Sequence, residues 1–401
     1  MIKYFINTKI PIQYILLLIL LSSFLISGCN NNPNDLGLNY ISSDTLGTLI
    51  LDSQKDSMKI TNKNFLKYVN TSSSLNMMVG NYQNYNSKTL LRFNSITADF
   101  DSSSILSATL YLRYNGYAFI DSNGITSFNI YKINSDYDFD TITYDQFSNS
   151  DIGTTLLGSY SDTPRDTVKI AVPFNNQTIK DWLESAADTN YAVKNYGIIL
   201  VPNSNSNNIK AFYSYSSGDA NNIPTIVAIV TKYGVVDTLT FNITQSTSLN
   251  YVPTTLMPKD RIFLQNGVAF RDVMKFDLTK LSSKVIINQA LITLSLDRAN
   301  SFISYSLGSD ARLVANMITD SVTLTNDGIN YYSTQTPDSN TYVINVTSIF
   351  QKWNYGVSPN LGILIRNIYD YTNLDKFVFY SGNYSDAIKR PKLRIRYTIR
   401  R

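Results

Sequence analysis

The chain has 401 residues, no histidine, a single cysteine and near-balanced charge, with 34 Lys and Arg against 30 Asp and Glu. Without histidine or a second cysteine, Ser-His-Asp and Cys-His nucleophilic catalysis, histidine zinc sites and thiolate metal sites are excluded. The lack of a basic surplus removes the electrostatic footprint of a nucleic-acid binder. Charged residues make up only 16% of the chain while tyrosines number 29, a profile that suits half-buried strands with neutral hydrogen-bonding surfaces. Length alone favours two or three domains. Carboxylate-only chemistry such as glycoside hydrolysis needs just two acidic residues, but no local pattern proposes a pair. Gly116, Gly124, Gly153 and Gly158 are isolated turn glycines, so there is no phosphate-binding loop.

The N-terminus has the plan of a secretory signal. Lys3 and Lys9 are followed by an apolar run from Tyr14 to Ile26, broken only by Ser22 and Ser23, and then by Ser27, Gly28 and Cys29. The run is short for a spanning helix of about 20 residues. Leu25-Ile26-Ser27-Gly28-Cys29 resembles the lipobox of bacterial lipoproteins, in which cleavage precedes the cysteine and its thiol carries a diacylglycerol. The alternative is an uncleaved anchor with a chance cysteine. The resemblance implies a signal peptide over 1–28, a flexible tether over 29–44 rich in Asn and Pro, and a membrane partner held through acyl chains on Cys29. Asn30 after the cysteine implies the outer membrane rather than retention in the inner one. The periplasmic and extracellular faces both stay open, since no acidic cluster follows Cys29.

Beyond the tether, landmarks recur in the same order in two halves, the signature of a duplication. Leu90-Leu91-Arg92-Phe93 precedes Ser107-Ala108-Thr109-Leu110-Tyr111-Leu112, as Val273-Met274-Lys275-Phe276 precedes Gln289-Ala290-Leu291-Ile292-Thr293-Leu294. Next comes one tryptophan in each half, Trp182 and Trp353, and the chain has no others. Glycine-led strands follow at Gly197-Ile198-Ile199-Leu200 and Gly362-Ile363-Leu364-Ile365. Phe212-Tyr213-Ser214 and Phe379-Tyr380-Ser381 come after them. Each half then ends on a proline-led strand, Pro224 to Val230 and Pro391 to Tyr397.

Alternation of apolar and polar side chains, as in Leu110-Tyr111-Leu112-Arg113-Tyr114 and Leu393-Arg394-Ile395-Arg396-Tyr397, predicts strands with one wet face. Only the segments before the tryptophans have helical spacing, Ile179 with Trp182 and Ile349 and Phe350 with Trp353. Each is expected to plug a core rather than contact a ligand. The fold class expected is therefore all-β, with two tandem antiparallel β-sandwich, jelly-roll-like domains over 45–233 and 234–401. The seam is placed near Lys232-Tyr233-Gly234.

This order of landmarks resembles the DNRLRE-type domain, also called disaggregatase-related, a sandwich of microbial surface proteins with some carbohydrate-binding members. The matching pieces are Leu90-Leu91-Arg92-Phe93-Asn94, Ser107 to Leu112, Asp140-Thr141-Ile142-Thr143-Tyr144 and Asn345-Val346-Thr347 through Trp353. The second half lacks a clear tvTW-like segment, for which Ser321-Val322-Thr323-Leu324 is a remnant. A lipobox followed by such repeats is also similar to Bacteroidetes lipoproteins. The resemblance implies a fold more than an activity, because its motifs are mainly core positions.

Candidate binding residues follow from the strands. Tyr213 and Tyr215, two apart, are expected to share a face opposite Phe212, and Tyr111 and Arg113 to form an outward pair opposite Leu110 and Leu112. Tyrosines of this kind either stack on sugars or pair across strands. Asp136, Asp138 and Asp140 alternate, which either offers oxygen ligands to a structural calcium ion or marks a solvated edge. Apart from that calcium, no cofactor is expected. Arg394, Arg396, Arg400 and Arg401 make the C-terminus basic, a soluble strand end or a contact for acidic polysaccharide or lipid headgroups. The function expected is a non-catalytic, lipid-anchored envelope protein binding glycan or another surface polymer. The alternative is a structural or assembly lipoprotein with envelope protein partners, and a carboxylate-based polysaccharide-cleaving enzyme is a distant third.

Overall fold

A computed structural model describes residues 47–94, 98–304, 306–308, 310–335 and 340–399. Cys29, the leader and the tether lie outside the described residues. Two strands come first, β1 (Thr48–Asp52) and β2 (Ile60–Leu66). Ten follow: β3 (Asn76–Tyr82), β4 (Tyr85–Phe93), β5 (Ser104–Ala118), β6 (Thr126–Lys132), β7 (Gly158–Asp162), β8 (Lys169–Pro173), β9 (Ile198–Pro202), β10 (Ile209–Tyr213), β11 (Thr225–Lys232) and β12 (Val235–Tyr251). The rest are β13 (Arg261–Gln265), β14 (Phe270–Phe276), β15 (Ile286–Ser295), β16 (Leu313–Met317), β17 (Tyr331–Gln335), β18 (Thr341–Asn345), β19 (Ile363–Asn367), β20 (Lys376–Tyr380) and β21 (Lys392–Thr398). Two helices, α1 (Asn176–Ala187) and α2 (Thr347–Asn354), carry the tryptophans. The fold is all-β and antiparallel, as the period-2 patterning requires. None of the described helices is long and apolar enough to cross a membrane.

The strands form two hydrogen-bonded networks, one running β1-β21-β15-β18-β17-β16-β19-β14-β13-β20 with β2 on β14, the other β12-β11-β5-β10-β3-β4-β9-β6-β7 with β8 on β5. In the second network β12 also pairs with β4, which closes a circuit of six strands. Each network folds over its own core. Leu110, Leu112, Ile226 and Ala228 face Leu91, Phe128, Ile198 and Phe212 in one. Ile292, Leu294, Leu393 and Ile395 face Met274, Leu313, Ile363 and Phe379 in the other. Both helices plug these cores. Asn175 caps α1 by accepting from the Thr178 amide at 2.9 Å, and α1 buries Ile179, Trp182 and Leu183. Trp182 packs 6.1 Å from Phe93 and Trp353 6.5 Å from Phe276, between ring centroids. Those phenylalanines are the matched residues of the two repeats.

The seam does not fall at residue 233, and the boundaries of 45–233 and 234–401 need correction. β12 pairs along its first half with β11 and along its second half with β4, inside the first network. β1 and β2 pair with β21 and β14, inside the second. The strands that lead each repeat are thus exchanged, with β12 in the first sandwich and β1–β2 in the second. The cause is local. Tyr233 and Gly234 have φ of 53° and 78°, and Lys232 faces Val235 across the pair. That is a two-residue hairpin whose left-handed turn matches strand twist, and it sets β12 beside β11. The second sandwich then takes the same pairings from the start of the chain.

A third apolar cluster joins the two sandwiches. Met78, Tyr117, Phe119, Ile209, Ala211 and Val252 of the first meet Phe263, Phe270, Leu374 and Val378 of the second. Residues 48–401 consequently form one compact unit. The cores are distinct but the halves are not independent, contrary to two domains on a simple seam.

Candidate functional site

One sheet face of the first sandwich combines half-buried aromatic rings with neutral polar groups. It is built from adjacent strands β12, β4, β9 and β6, in which Tyr251 faces Asn86, Leu90 faces Ile199, and Asn129 faces Val201. Successive side chains of a strand point to opposite faces, so the residues beneath, such as Leu91, Ile198 and Ile130, belong to the core. On the outer side, the chain after β6 crosses over the sheet and buries Phe139 and Ile142 on Leu90, Ile133, Ile199 and Leu249. This apolar lid covers one end of the face. At the other end the side chains stay partly exposed.

There Tyr144 from the crossing segment lies between two further tyrosines, with centroids 5.2 Å from Tyr68 and 5.3 Å from Tyr251 and planes tilted by 35° and 31°. All three rings are half-buried. Two residues beyond Tyr68, the Asn70 amide donates to the carbonyls of Phe139 and Ile142 at 2.8 and 2.7 Å and ties this segment to the crossing chain. Beside the rings runs a chain of carboxamides. Asn86 donates to Asn81 at 2.6 Å, Asn81 to the Asn203 carbonyl at 3.3 Å, Asn203 to Asn129 at 3.3 Å, and Asn129 to the Tyr131 hydroxyl at 3.1 Å. Lys88 sits at the rim, donating to Asn149 at 2.6 Å. Burial, with Tyr144, Tyr251 and Asp145 nearby, pushes the Tyr68 hydroxyl up to about 12, and burial raises Tyr144 as well. Their hydroxyls therefore remain protonated donors throughout the neutral range.

The residues expected from sequence are placed elsewhere. Tyr111 and Arg113 do share the outer face of β5, where the Lys169 ammonium lies 4.7 Å from the Tyr111 ring and Arg113 donates to the Thr167 carbonyl at 2.9 Å. Tyr213 ends β10, and Tyr215 opens a short 3-10 turn instead of continuing the strand. The shared strand face expected for that pair is not formed. Asp136, Asp138 and Asp140 lie in the crossing loop rather than in an alternating strand, because β6 ends at Lys132 and the chain turns to bury Phe139. Their carboxylates take separate partners. Asp136 pairs with Arg92 at 2.6 Å, Asp138 accepts from the Asp140 amide and the Thr141 hydroxyl at 2.9 Å each, and Asp140 accepts from Gln245 at 3.1 Å. Among the described residues no group of three or more His, Cys, Asp or Glu side chains is placed to hold a metal ion.

Tyr68, Tyr144, Tyr251 and the four asparagines were not singled out by sequence reasoning. They come from four strands and three connecting segments, and no spacing links them. The only local signal was the density of Asn and Tyr in Asn81-Tyr82-Gln83-Asn84-Tyr85-Asn86. No protein-family model, curated protein or solved structure matches this chain.

Proposed function

We propose that this is a lipid-anchored, non-catalytic protein of the bacterial cell envelope that binds a neutral glycan. The DNRLRE-like order of landmarks and the lipobox-like Cys29 support the envelope part of this reading. The observation that carries the binding part is the partly exposed face where the Tyr68–Tyr144–Tyr251 stack borders the Asn86–Asn81–Asn203–Asn129 chain. Sugar rings present apolar C–H faces and equatorial hydroxyls. Terminal rings of the stack offer planes for the former, and carboxamides offer a donor and an acceptor each for the latter. Neither chemistry needs charge, which fits the low charge density of the chain.

Affinity electrophoresis of residues 30–401 through gels containing neutral or acidic polysaccharides tests this reading. Retardation by one or more neutral polysaccharides is expected. Tyr251→Ala and Asn86→Ala should each weaken binding about tenfold, as loss of a well-placed contact worth about 1.4 kcal/mol does, while Tyr213→Ala leaves it unchanged. Migration indifferent to every polysaccharide would favour the assembly role instead.

A further inference from the structure

The outermost layer of the second sandwich is asymmetric in charge, and it is the layer into which the tether feeds. β1 is the edge strand of its network and pairs with β21. Ile50 lies opposite Arg396 and Asp52 opposite Arg394, while on the far side of β21 Leu291 is also opposite Arg394 and Ile286 is opposite Thr398. Leu393 and Ile395 point into the core, so Lys392, Arg394 and Arg396 all point outward. Arg394 and Arg396 are exposed and Lys392 is half-buried. Among the described residues none of the three has a carboxylate within ion-pair distance. Asp52 is the one acidic group on β1 and β21, leaving a local surplus of two positive charges. Ile50 and Ile286, 50% and 45% exposed, complete a surface that is basic and apolar together.

The duplicate provides an internal comparison. In the first sandwich the positions matching Lys392, Arg394 and Arg396 on β11 are Thr225, Val227 and Ile229. A sheet of this fold therefore does not need cations there. They occur only in the sandwich whose edge strand begins at the tether. Eighteen residues separate Cys29 from Thr48, a reach of roughly 60 Å at full extension.

We propose that this face, centred on Lys392, Arg394 and Arg396, rests on a lipid bilayer carrying anionic headgroups. Building on the reading of Cys29 as a lipid anchor, it deepens that reading by giving the anchored protein an orientation. The cations meet lipid phosphates, and Ile50 and Ile286 lie at the headgroup boundary. The tyrosine–asparagine face belongs to the other sandwich.

Flotation of residues 30–401 with vesicles tests the face alone, because this segment lacks both leader and cysteine and contains the whole compact unit 48–401. Vesicles of phosphatidylcholine with phosphatidylglycerol should carry the protein upward, and vesicles of phosphatidylcholine alone should not. The combined variant Lys392→Gln, Arg394→Gln, Arg396→Gln should lower partition about a hundredfold. The charge-preserving pair Arg394→Lys with Arg396→Lys, and Lys180→Gln on the exposed side of α1, should leave it unchanged. Parental partition that ignores lipid charge, a combined variant that still floats, or capture by a soluble acidic polysaccharide without capture by vesicles would each overturn the proposal. Failure of acylation or of neutral-glycan binding would be read in other assays and would not imitate these outcomes.

Discussion

Asp272 and Asp375 are the two carboxylic acids whose placement runs against their ordinary chemistry. Asp272 is fully buried and accepts one hydrogen bond, from Asn62 at 3.0 Å, while its other oxygen has no partner. Asp375 accepts from the amide and hydroxyl of Ser304 at 3.0 Å each and is otherwise enclosed. Burial pushes both up to about 7, against hydrogen bonds that favour the charged form. In the unfolded chain each would ionise near 4. Between these values the folded state holds more protons, so the stabilising contribution is complete below about pH 4 and is lost as pH rises to about 7. The protein should therefore resist urea better at pH 5 than at pH 8. Asp272→Asn, which keeps shape and needs no proton, should flatten that dependence and raise the midpoint at pH 8. Denaturation midpoints that rise steadily from pH 5 to pH 8 would contradict the assignment.

At the scale of elements, the exchange of lead strands governs how the chain can be divided. A fragment of residues 45–233 lacks β12, so both β11 and β4 lose a partner that fixes their register. The fragment 234–401 keeps β12 but lacks β1 and β2, the partners of β21 and β14. A fragment of 67–252 contains the complete first sandwich with its core. Circular dichroism melts should accordingly show a cooperative transition for 67–252 and none for 45–233, since unpaired central edges neither bury their faces nor hold register. A cooperative 45–233 with the same melting temperature as 67–252 would show that the hairpin at Tyr233-Gly234 does not decide the exchange. The matched glycines show how far the repeats agree elsewhere. Gly197 and Gly362 have φ of 97° and 108°, and a Cβ at either would come within 2.4 or 2.8 Å of the carbonyl oxygen of Leu91 or Met274. The same close approach recurs in both copies because each glycine opens a strand lying against the same neighbour.

For the whole molecule, the proposed anchoring rests on Cys29. Cys29→Ser should leave an unprocessed precursor that takes up no labelled palmitate, measured by mobility and radiolabel, and a variant still cleaved and acylated would remove the lipoprotein reading. Strands such as β5 and β21 with their inward and outward faces, and both tryptophan helices, were legible in the linear chain, because period-2 alternation and i, i+3 spacing are local consequences of backbone geometry. So was the duplication, since equivalent core positions demand similar residues in the same order. The alternation at Asp136–Asp140 and at Tyr213–Tyr215, by contrast, did not make strand faces. The seam was misread at Tyr233-Gly234. A residue pair between two strands is compatible with either a linker or a tight hairpin, and only the paired strands distinguish the two. The tyrosine–asparagine face was illegible for a different reason. Its rings and amides come from β3, β4, β6, β12 and three connecting segments, and they meet only where antiparallel register and a crossing loop bring them together. Sequence alone determined what each residue could bury, because burial follows from local periodicity. Which exposed residues became neighbours was decided by strand pairing over long separations, and that is a property of the folded chain alone.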